Sequence, residues 1–260
     1  MKIKISKVIS LIIIIFIISF SILVPIIFNL DPNIHDLSNR YAKPSPEHFF
    51  GTDELGRDIF SRTLYGTKIT IGISILASLV SIFLSLIIGY IKVFSNKIIR
   101  EIFETITDIM MCIPFFVLAA SLTGILGASV INLILVIALF TWPQSSRLIK
   151  VEIQKLYDEN YIRYQRLCKK SNLSIFFCSM LPNMWHIIIS RFTICLSQSI
   201  LMESTLSFLS LGIRPPNASL GTILSSAMNI ININNRYYIY LPAAIIIIVS
   251  IMCTKIIADR

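Results

Sequence analysis

Little in this sequence could make or break a covalent bond. The spacing Gly51-x4-Gly56 looks like the start of a phosphate loop, but Arg57-Asp58 stands where a Lys-Ser/Thr pair would have to reach phosphate and magnesium. No other stretch fits, so the chain is not expected to hydrolyse a nucleotide. The five cysteines, Cys112, Cys168, Cys178, Cys195 and Cys253, are scattered without a Cys-x-x-Cys pair. They read as free thiols, with no metal site built from cysteine. Glu203 is the one acid deep in an apolar run. Ser199, Glu203 and Ser207 are spaced by four and form a polar stripe facing away from lipid. Two readings stand: a hydrogen-bonded glutamate tying helices together, or a group lining a pathway. The first is favoured, because no second intramembrane charge completes a relay.

The remaining chemistry is recognition, and it concentrates in Lys155–Asn183, a basic amphipathic segment. Asp158, Glu159 and Asn160 make a polar, acidic helix start that suits the positive end of a helix dipole. Tyr157, Tyr161, Tyr164 and Cys168 recur at three- and four-residue steps and share one face, while Arg163, Arg166 and Lys170 share another. Lys169, Lys170, Ser171 and Asn172 interrupt the pattern. Ser171 or Asn172 can then cap a second short helix running into Phe176-Phe177, which Pro182 ends. The segment is either a basic loop resting on lipid headgroups or a docking knob for a cytoplasmic partner.

The elements that position these residues are membrane spans. Of 260 residues, 55% are hydrophobic and only 14% charged, the composition of an all-α polytopic membrane protein. The net charge of +9 is dispersed between apolar runs, so membrane orientation explains it better than nucleic-acid binding. Lys2, Lys4 and Lys7 precede the run Val8–Phe28, which is long enough to span and is followed by no small-x-small cleavage site. It reads as a retained first helix, a cleaved signal being the alternative. Further spans are expected at Ile69–Phe94, Ile109–Leu126 (carrying Pro114), Val130–Ile149 (with Trp142-Pro143 near its end), Trp185–Leu211 and Tyr237–Ile257, the last with an aromatic anchor at Tyr237, Tyr238 and Tyr240. Lys97–Asp108 reads as a charged linker, and Gly212–Arg236 as a polar loop with Pro215 and Pro216.

Orientation follows from counting cations. With the N-terminus inside, the inner segments hold fifteen: Lys2, Lys4, Lys7, Lys92, Lys97, Arg100, Arg147, Lys150, Lys155, Arg163, Arg166, Lys169, Lys170, Lys255 and Arg260. The outer segments hold six: Arg40, Lys43, Arg57, Arg62, Arg214 and Arg236. The asymmetry places both termini and the basic segment in the cytoplasm. The expected layout is an N-terminal transmembrane anchor over 1–28, an extracytoplasmic loop over 29–66 and a transmembrane domain over 67–257 with its cytoplasmic loop at 152–183.

Three stretches carry a resemblance. GTDELGRDIFSR (Gly51–Arg62) precedes the second span; Tyr161 through Ser171 leads to Leu181-Pro182-Asn183; and ESTLSFLSLGIRPPNASLG covers Glu203–Gly221. Together they resemble the dipeptide/oligopeptide/nickel permease family of type I ABC importers, in its shorter, C-type subunit. The second stretch is similar to the family's ATPase-coupling loop, roughly Glu/Asp-Tyr-Val-x-Ala-Ala-x-Ala-Leu-Gly-Ala-Ser. The third is similar to Glu-Ala-Ala-Leu-Ser-Phe-Leu-Gly-Leu-Gly followed by Pro-Pro and a later Gly. The chain departs from the pattern at Tyr164 and Gln165, which replace two alanines, and at Lys169, which replaces the glycine of a sharp turn. A strained or altered turn is therefore expected there, with weaker coupling or a matched ATPase. The chain also stops at Asp259-Arg260, before the family's usual tail.

The resemblance implies a type I ABC importer permease fold with about six spans and no catalysis of its own. It assigns ATPase coupling to Tyr161, Arg163, Tyr164, Arg166, Cys168, Lys169, Lys170 and Ser171. It assigns a structural role to Gly51, Asp53, Gly56, Arg57, Asp58, Glu203 and Gly212. No cofactor is expected on this chain; ATP and Mg2+ belong to partner subunits. The implied partners are a second homologous permease, two ATP-binding subunits, an extracytoplasmic substrate-binding protein and membrane lipid. Peptide is the expected substrate. Nickel or a metal chelate is the alternative, suggested by an outer loop similar to that of metal-type members. A channel, secondary carrier or inactive scaffold is the reading from another class.

Overall fold

A polar side chain inside a bilayer must be bonded within the protein, so the spans of this chain are arranged around their hydroxyl groups. The computed structural model describes residues 5–214, 216–231 and 236–258. Lys2, Lys4, Pro215, Asp259 and Arg260 lie outside them. Among the described residues the helices are α1 (Ile5–Ile27), α2 (Ile59–Phe94), α3 (Lys97–Cys112), α4 (Phe115–Leu126), α5 (Val130–Tyr157), α6 (Asn160–Leu167), α7 (Asn172–Ile175), α8 (Leu181–Asn183), α9 (Trp185–Phe208), α10 (Leu220–Ile231) and α11 (Leu241–Ala258). Five of them, α1, α2, α5, α9 and α11, are long and apolar enough to cross a membrane. The pair α3 and α4, bent by 95° at its break, makes a sixth candidate. The expected all-α, roughly six-span architecture is observed.

The long α2 is the mast. It packs against α5 most extensively, then against α9 and α1, with α3, α10 and α11 also touching it. Thr70, Ser74, Ser78, Ser81 and Ser85 line one buried face. Ser74, Ser78 and Ser85 each donate to the carbonyl four residues back at 2.7 Å. The same hydroxyls reach across the bundle. Ser85 donates to the Trp142 carbonyl at 3.0 Å, Thr141 donates to Ser81 at 2.9 Å, and Ser78 lies 3.2 Å from Ser199. Small hydroxyl residues let helix backbones approach closely and satisfy each other's polar groups.

Two segments depart from the sequence reading. The charged linker expected at Lys97–Asp108 is helical, because its charges find partners on α2 and α5. The fully buried Lys92 amine donates to Thr107 at 2.5 Å and lies 3.4 Å from Glu104. Lys150 bonds the same carboxylate, and Arg147 bonds Asp108. Pro114 then disfavours helical backbone at Ile113, which sits extended at φ −78°, ψ 125°, and the chain turns before α4. The polar loop expected at Gly212–Arg236 contains α10. Its Leu220 and Ile223 pack on Leu196, Ile200, Ala243 and Ile247, and Ser219 accepts from the Thr222 amide at 3.2 Å to cap it. Span edges also move: α2 begins at Ile59 rather than Ile69, and α5 runs through Pro143 to Tyr157. Pro182 does not end a helix. It opens α8, after a widened turn over Phe176–Met180 that absorbs its missing N–H donor.

The outer end of α2 is held by a compact turn. Asp53 accepts from the amides of Leu55 (2.8 Å) and Arg57 (3.0 Å) and from Arg57 Nε (2.7 Å), with Arg62 Nε 3.6 Å away. All three ionic side chains are buried. Asp58 caps α2 by accepting from the Ser61 amide at 2.7 Å, and His48 Nδ1 lies 3.1 Å from it. Gly51 and Gly56 both have φ of 72°, a left-handed backbone, and a Cβ on Gly56 would run into the Asp36 carbonyl. At the opposite, cytoplasmic end, Lys7 of α1 donates to the Ile257 carbonyl at 3.3 Å and Ser190 of α9 donates to the Ala258 carbonyl at 3.2 Å. The last turn of α11 is thus capped by the first and ninth helices.

Two outcomes are expected. Single cysteines at Asn39 and Asn172, both exposed, should differ in labelling by an impermeant thiol reagent on intact cells. Asn39 labels and Asn172 does not; the reverse pattern would invert the orientation. Asp53→Ala strands two buried guanidinium groups and should cost on the order of 3 kcal/mol, more than Arg57→Ala, which leaves Arg62 to face the carboxylate. The measurement is the yield of detergent-stable protein for each variant. Normal yield of Asp53→Ala would show that this ion cluster does not hold the fold.

Candidate functional site

The cytoplasmic segment is mounted on the spans by apolar plugs. Ile162 of α6 is fully buried against Ile149, Ile153, Ile175, Phe176, Met180 and Met184. Ile162 stands at the valine position of the coupling-loop pattern, and its burial joins α6 to both α5 and α9. Burying one such side chain is worth about 1.5–3 kcal/mol, so α6 moves with the helices that carry it. An aromatic stack backs this core. Tyr90 lies 4.7 Å from Phe94 and 5.0 Å from Phe176, and Phe94 lies 5.5 Å from Tyr157, centroid to centroid.

The faces of the segment differ from the helical reading. Tyr157 ends α5, whereas Tyr161, Tyr164 and Cys168 belong to α6 or its end. Between them Glu159 is extended at ψ 143°, so the helical phase is broken and Tyr157 turns inward. Arg166 is not part of an outward basic face. Its guanidinium lies 3.8 Å over the Tyr157 ring and donates to the Tyr157 carbonyl at 3.2 Å. Arg163, Lys169 and Lys170 are exposed. Tyr161 is partly tethered, its hydroxyl accepting from Asn183 at 3.2 Å, and Ser179 donates to Gln165 at 2.9 Å. Ser171 caps α7 by accepting from the Ser174 amide at 3.2 Å. Lys169 has φ of 57°, the left-handed backbone that a glycine would take without cost.

What projects outward is an apolar tip: Tyr164, Leu167, Leu173 and Phe177 are all more than half exposed, Leu167 at 81%. Sequence reading missed Leu167, Leu173 and Phe177. Leu167 follows Tyr164 by three and Phe177 follows Leu173 by four, so helical spacing carried the signal, but the basic residues between them masked it.

Glu203 lies at the meeting of three elements. It is fully buried in α9, with Ser207 donating to it at 2.8 Å and Ser204 at 3.5 Å. Thr70 of α2 and Ser219 before α10 also lie beside its carboxyl. Thr70 accepts from the Leu220 amide at 3.2 Å as well. Ser199, one turn below, is buried against Ser78. This is the geometry of a group that ties helices together. After α9 the chain reverses through Ser210, at φ 60°, another non-glycine residue in the left-handed region where the resembled pattern has glycine. Gly212 follows where a Cβ would lie 2.5 Å from the Ser207 hydroxyl.

A family model described as the binding-protein-dependent transport system inner membrane component matches residues 52–260. A Brucella suis protein with the provisional name of peptide transport system permease is 29% identical over 251 residues, covering 96% of this chain and 84% of that protein. A second Brucella suis protein, provisionally a peptide permease, is 32% identical over 196 residues, 75% of this chain and 65% of its own length. The di/tripeptide transport system permease protein DppC of Pseudomonas aeruginosa is 29% identical over 209 residues, 80% of this chain and 68% of its own. The family match covers the outer turn, the α2 mast, the cytoplasmic segment and the Glu203 junction together. This chain belongs to the family of inner membrane components of binding-protein-dependent transport systems, multi-pass permeases with the type I ABC importer fold.

Proposed function

We propose that the chain is the membrane permease subunit of an ATP-driven importer of peptides. It works beside a second homologous permease, two ATP-binding subunits and an extracytoplasmic binding protein, and leaves ATP and Mg2+ to the ATP-binding subunits. The observation that carries this reading is the cytoplasmic knob: an exposed apolar tip on a segment whose other side is plugged into α5 and α9 through Ile162, Ile175 and Met184. An exposed Tyr-Leu-Leu-Phe tip on a firmly seated base suits a cleft on a soluble partner better than a lipid surface. A push on that tip reaches α5 and α9 as a rigid-body shift, the kind of movement that switches access from one side of a membrane to the other. The relatives reported above carry peptide names, which favours peptides over nickel or a metal chelate. In the outer loop, His48 faces Asp58, so its place there is explained by the α2 cap.

Buried aromatic anchors carry most of an interface's energy, and rim charges little. Tyr164→Ala should therefore cost about 2 kcal/mol or more of docking energy. Arg163→Ala should cost about 1 kcal/mol or less and less still at high salt. Arg166→Ala is expected to act differently, loosening the knob from Tyr157 at every salt concentration. The readout is the amount of ATP-binding subunit that co-purifies with each variant at low and high salt. Full retention by Tyr164→Ala with loss by Arg163→Ala would assign docking to the charges instead. Indifference of docking and transport to all three would return the segment to the lipid surface.

A further inference from the structure

The outer segments of this chain hold few cations, and Arg57 and Arg62 among them are buried on Asp53. Arg40 and Arg236 are placed differently. They come from opposite ends of the sequence, yet their guanidinium carbons lie 5.4 Å and 3.9 Å from the centre of one ring, that of Tyr41. Among the described residues neither pairs with a carboxylate. Exposed Lys43 follows the ring by two residues. Like charges gathered around one side chain repel, so the arrangement calls for an anion. Tyr238 holds Tyr41 in place, its hydroxyl donating to the Tyr41 carbonyl at 3.3 Å. Tyr238 is also one wall of an apolar cleft of about 370 Å³, lined further by Pro44, Phe50, Leu241, Pro242 and Ile245. A pair of unpaired cations thus adjoins an apolar slot across a single tyrosine.

The place of the cleft identifies its occupant. Its lining on α11 runs from Leu241, the first residue of that helix, to Ile246. At 1.5 Å of rise per residue it descends about 8 Å from the outer end of the helix, through the headgroup level into the start of the hydrocarbon. Its flank is α1: Phe50 lies 5.3 Å from Phe60, and Phe60 lies 6.4 Å from Phe20 of α1, centroid to centroid. Among its described residues α1 buries only Ser10, Ser21 and Pro25, and its outer half exposes Phe20, Leu23, Ile26 and Ile27. A neighbouring subunit covers one side of a helix, whereas α1 is apolar and bare nearly all round, as a span standing in lipid is. The molecule that carries a phosphate at the interface and a hydrocarbon chain just beneath it is a phospholipid. Guanidinium groups match phosphate oxygens in geometry as well as in charge. We propose that this face binds one anionic phospholipid of the outer leaflet, its phosphate on Arg40 and Arg236 and an acyl chain along the cleft.

The test is native mass spectrometry of the detergent-purified protein, with the subunits that co-purify, titrated with phosphatidylglycerol or with zwitterionic phosphatidylcholine. One phosphatidylglycerol should be retained about tenfold more tightly than phosphatidylcholine. Arg40→Gln combined with Arg236→Gln removes the charges and should abolish that preference. Ile245→Trp fills the cleft and should weaken retention of both lipids about tenfold. Lys68→Gln, at an exposed cation on a different outer cleft, should bind as the wild type does. Glycerol 3-phosphate, a phosphate without chains, should not displace the lipid. A benzoylphenylalanine photo-crosslinker at position 245 should capture phospholipid in the membrane. Equal retention of the two lipids by the wild type, an unchanged preference in the double arginine variant or unchanged retention in Ile245→Trp overturns the inference. So does displacement by glycerol 3-phosphate, or capture of a protein chain at position 245. Should a variant fail to fold, the wild-type comparison and the crosslinker still decide. No arm of the test involves the transported substrate, so each of these results leaves the importer reading untouched.

Discussion

The hydroxyl ladder on α2 is the constraint on which the rest depends. In lipid there is no hydrophobic force to press one apolar helix against another, so close approach and satisfied polar groups must do it. Ser74, Ser78 and Ser85 close on their own helix, and at the same time Ser78 meets α9 and Ser85 meets α5. The ladder occupies the middle of α2, from Thr70 to Ser85, and so lies between the outer junction, where Glu203 sits beside α2, α9 and α10, and the cytoplasmic end, where Ile162 is gripped. A change in the angle of α5 or α9 has to be accommodated along the whole mast.

The two ends of the bundle are secured by different chemistry, which suits different tasks. Outside, a buried carboxylate holds two guanidiniums and two amides in one turn. Such a cluster is rigid because any movement strands a charge. Inside, the knob rests on isoleucine, methionine and stacked rings, contacts that are non-directional and tolerate small rotations without a bond breaking. The fold therefore places its stiffest joint away from the side where force would arrive.

Much of this was legible in the sequence, for local reasons. The runs that became α1, α9 and α11 announced themselves by apolar length, and Ser171 by its position before a short helix. Lys169 stood out because its neighbours match a pattern in which only glycine turns without strain, and its φ is positive. What could not be read depended on distant residues. The helix α3 resembles a linker until Glu104 and Asp108 are seen to pair with Lys150 and Arg147, some forty residues later. Arg166 has the spacing of a surface cation, and only the extended Glu159 between α5 and α6 turns it onto Tyr157. The helix α10 is short and lies between a proline-rich turn and a run of asparagines, and its apolar positions make sense only against α9 and α11.

The contact between Lys7 and the Ile257 carbonyl has a consequence for how the protein is made. The first helix leaves the ribosome some two hundred and fifty residues before the group its lysine bonds. During all of that time α1 can sit in the bilayer and lean on α2, without its contact to α11. This closure of the bundle thus waits on α11, and a nascent chain halted before it lacks that contact between the first helix and the eleventh. Membrane proteases and chaperones that sense loosely held spans would find in α1 a built-in report of whether α11 has been made.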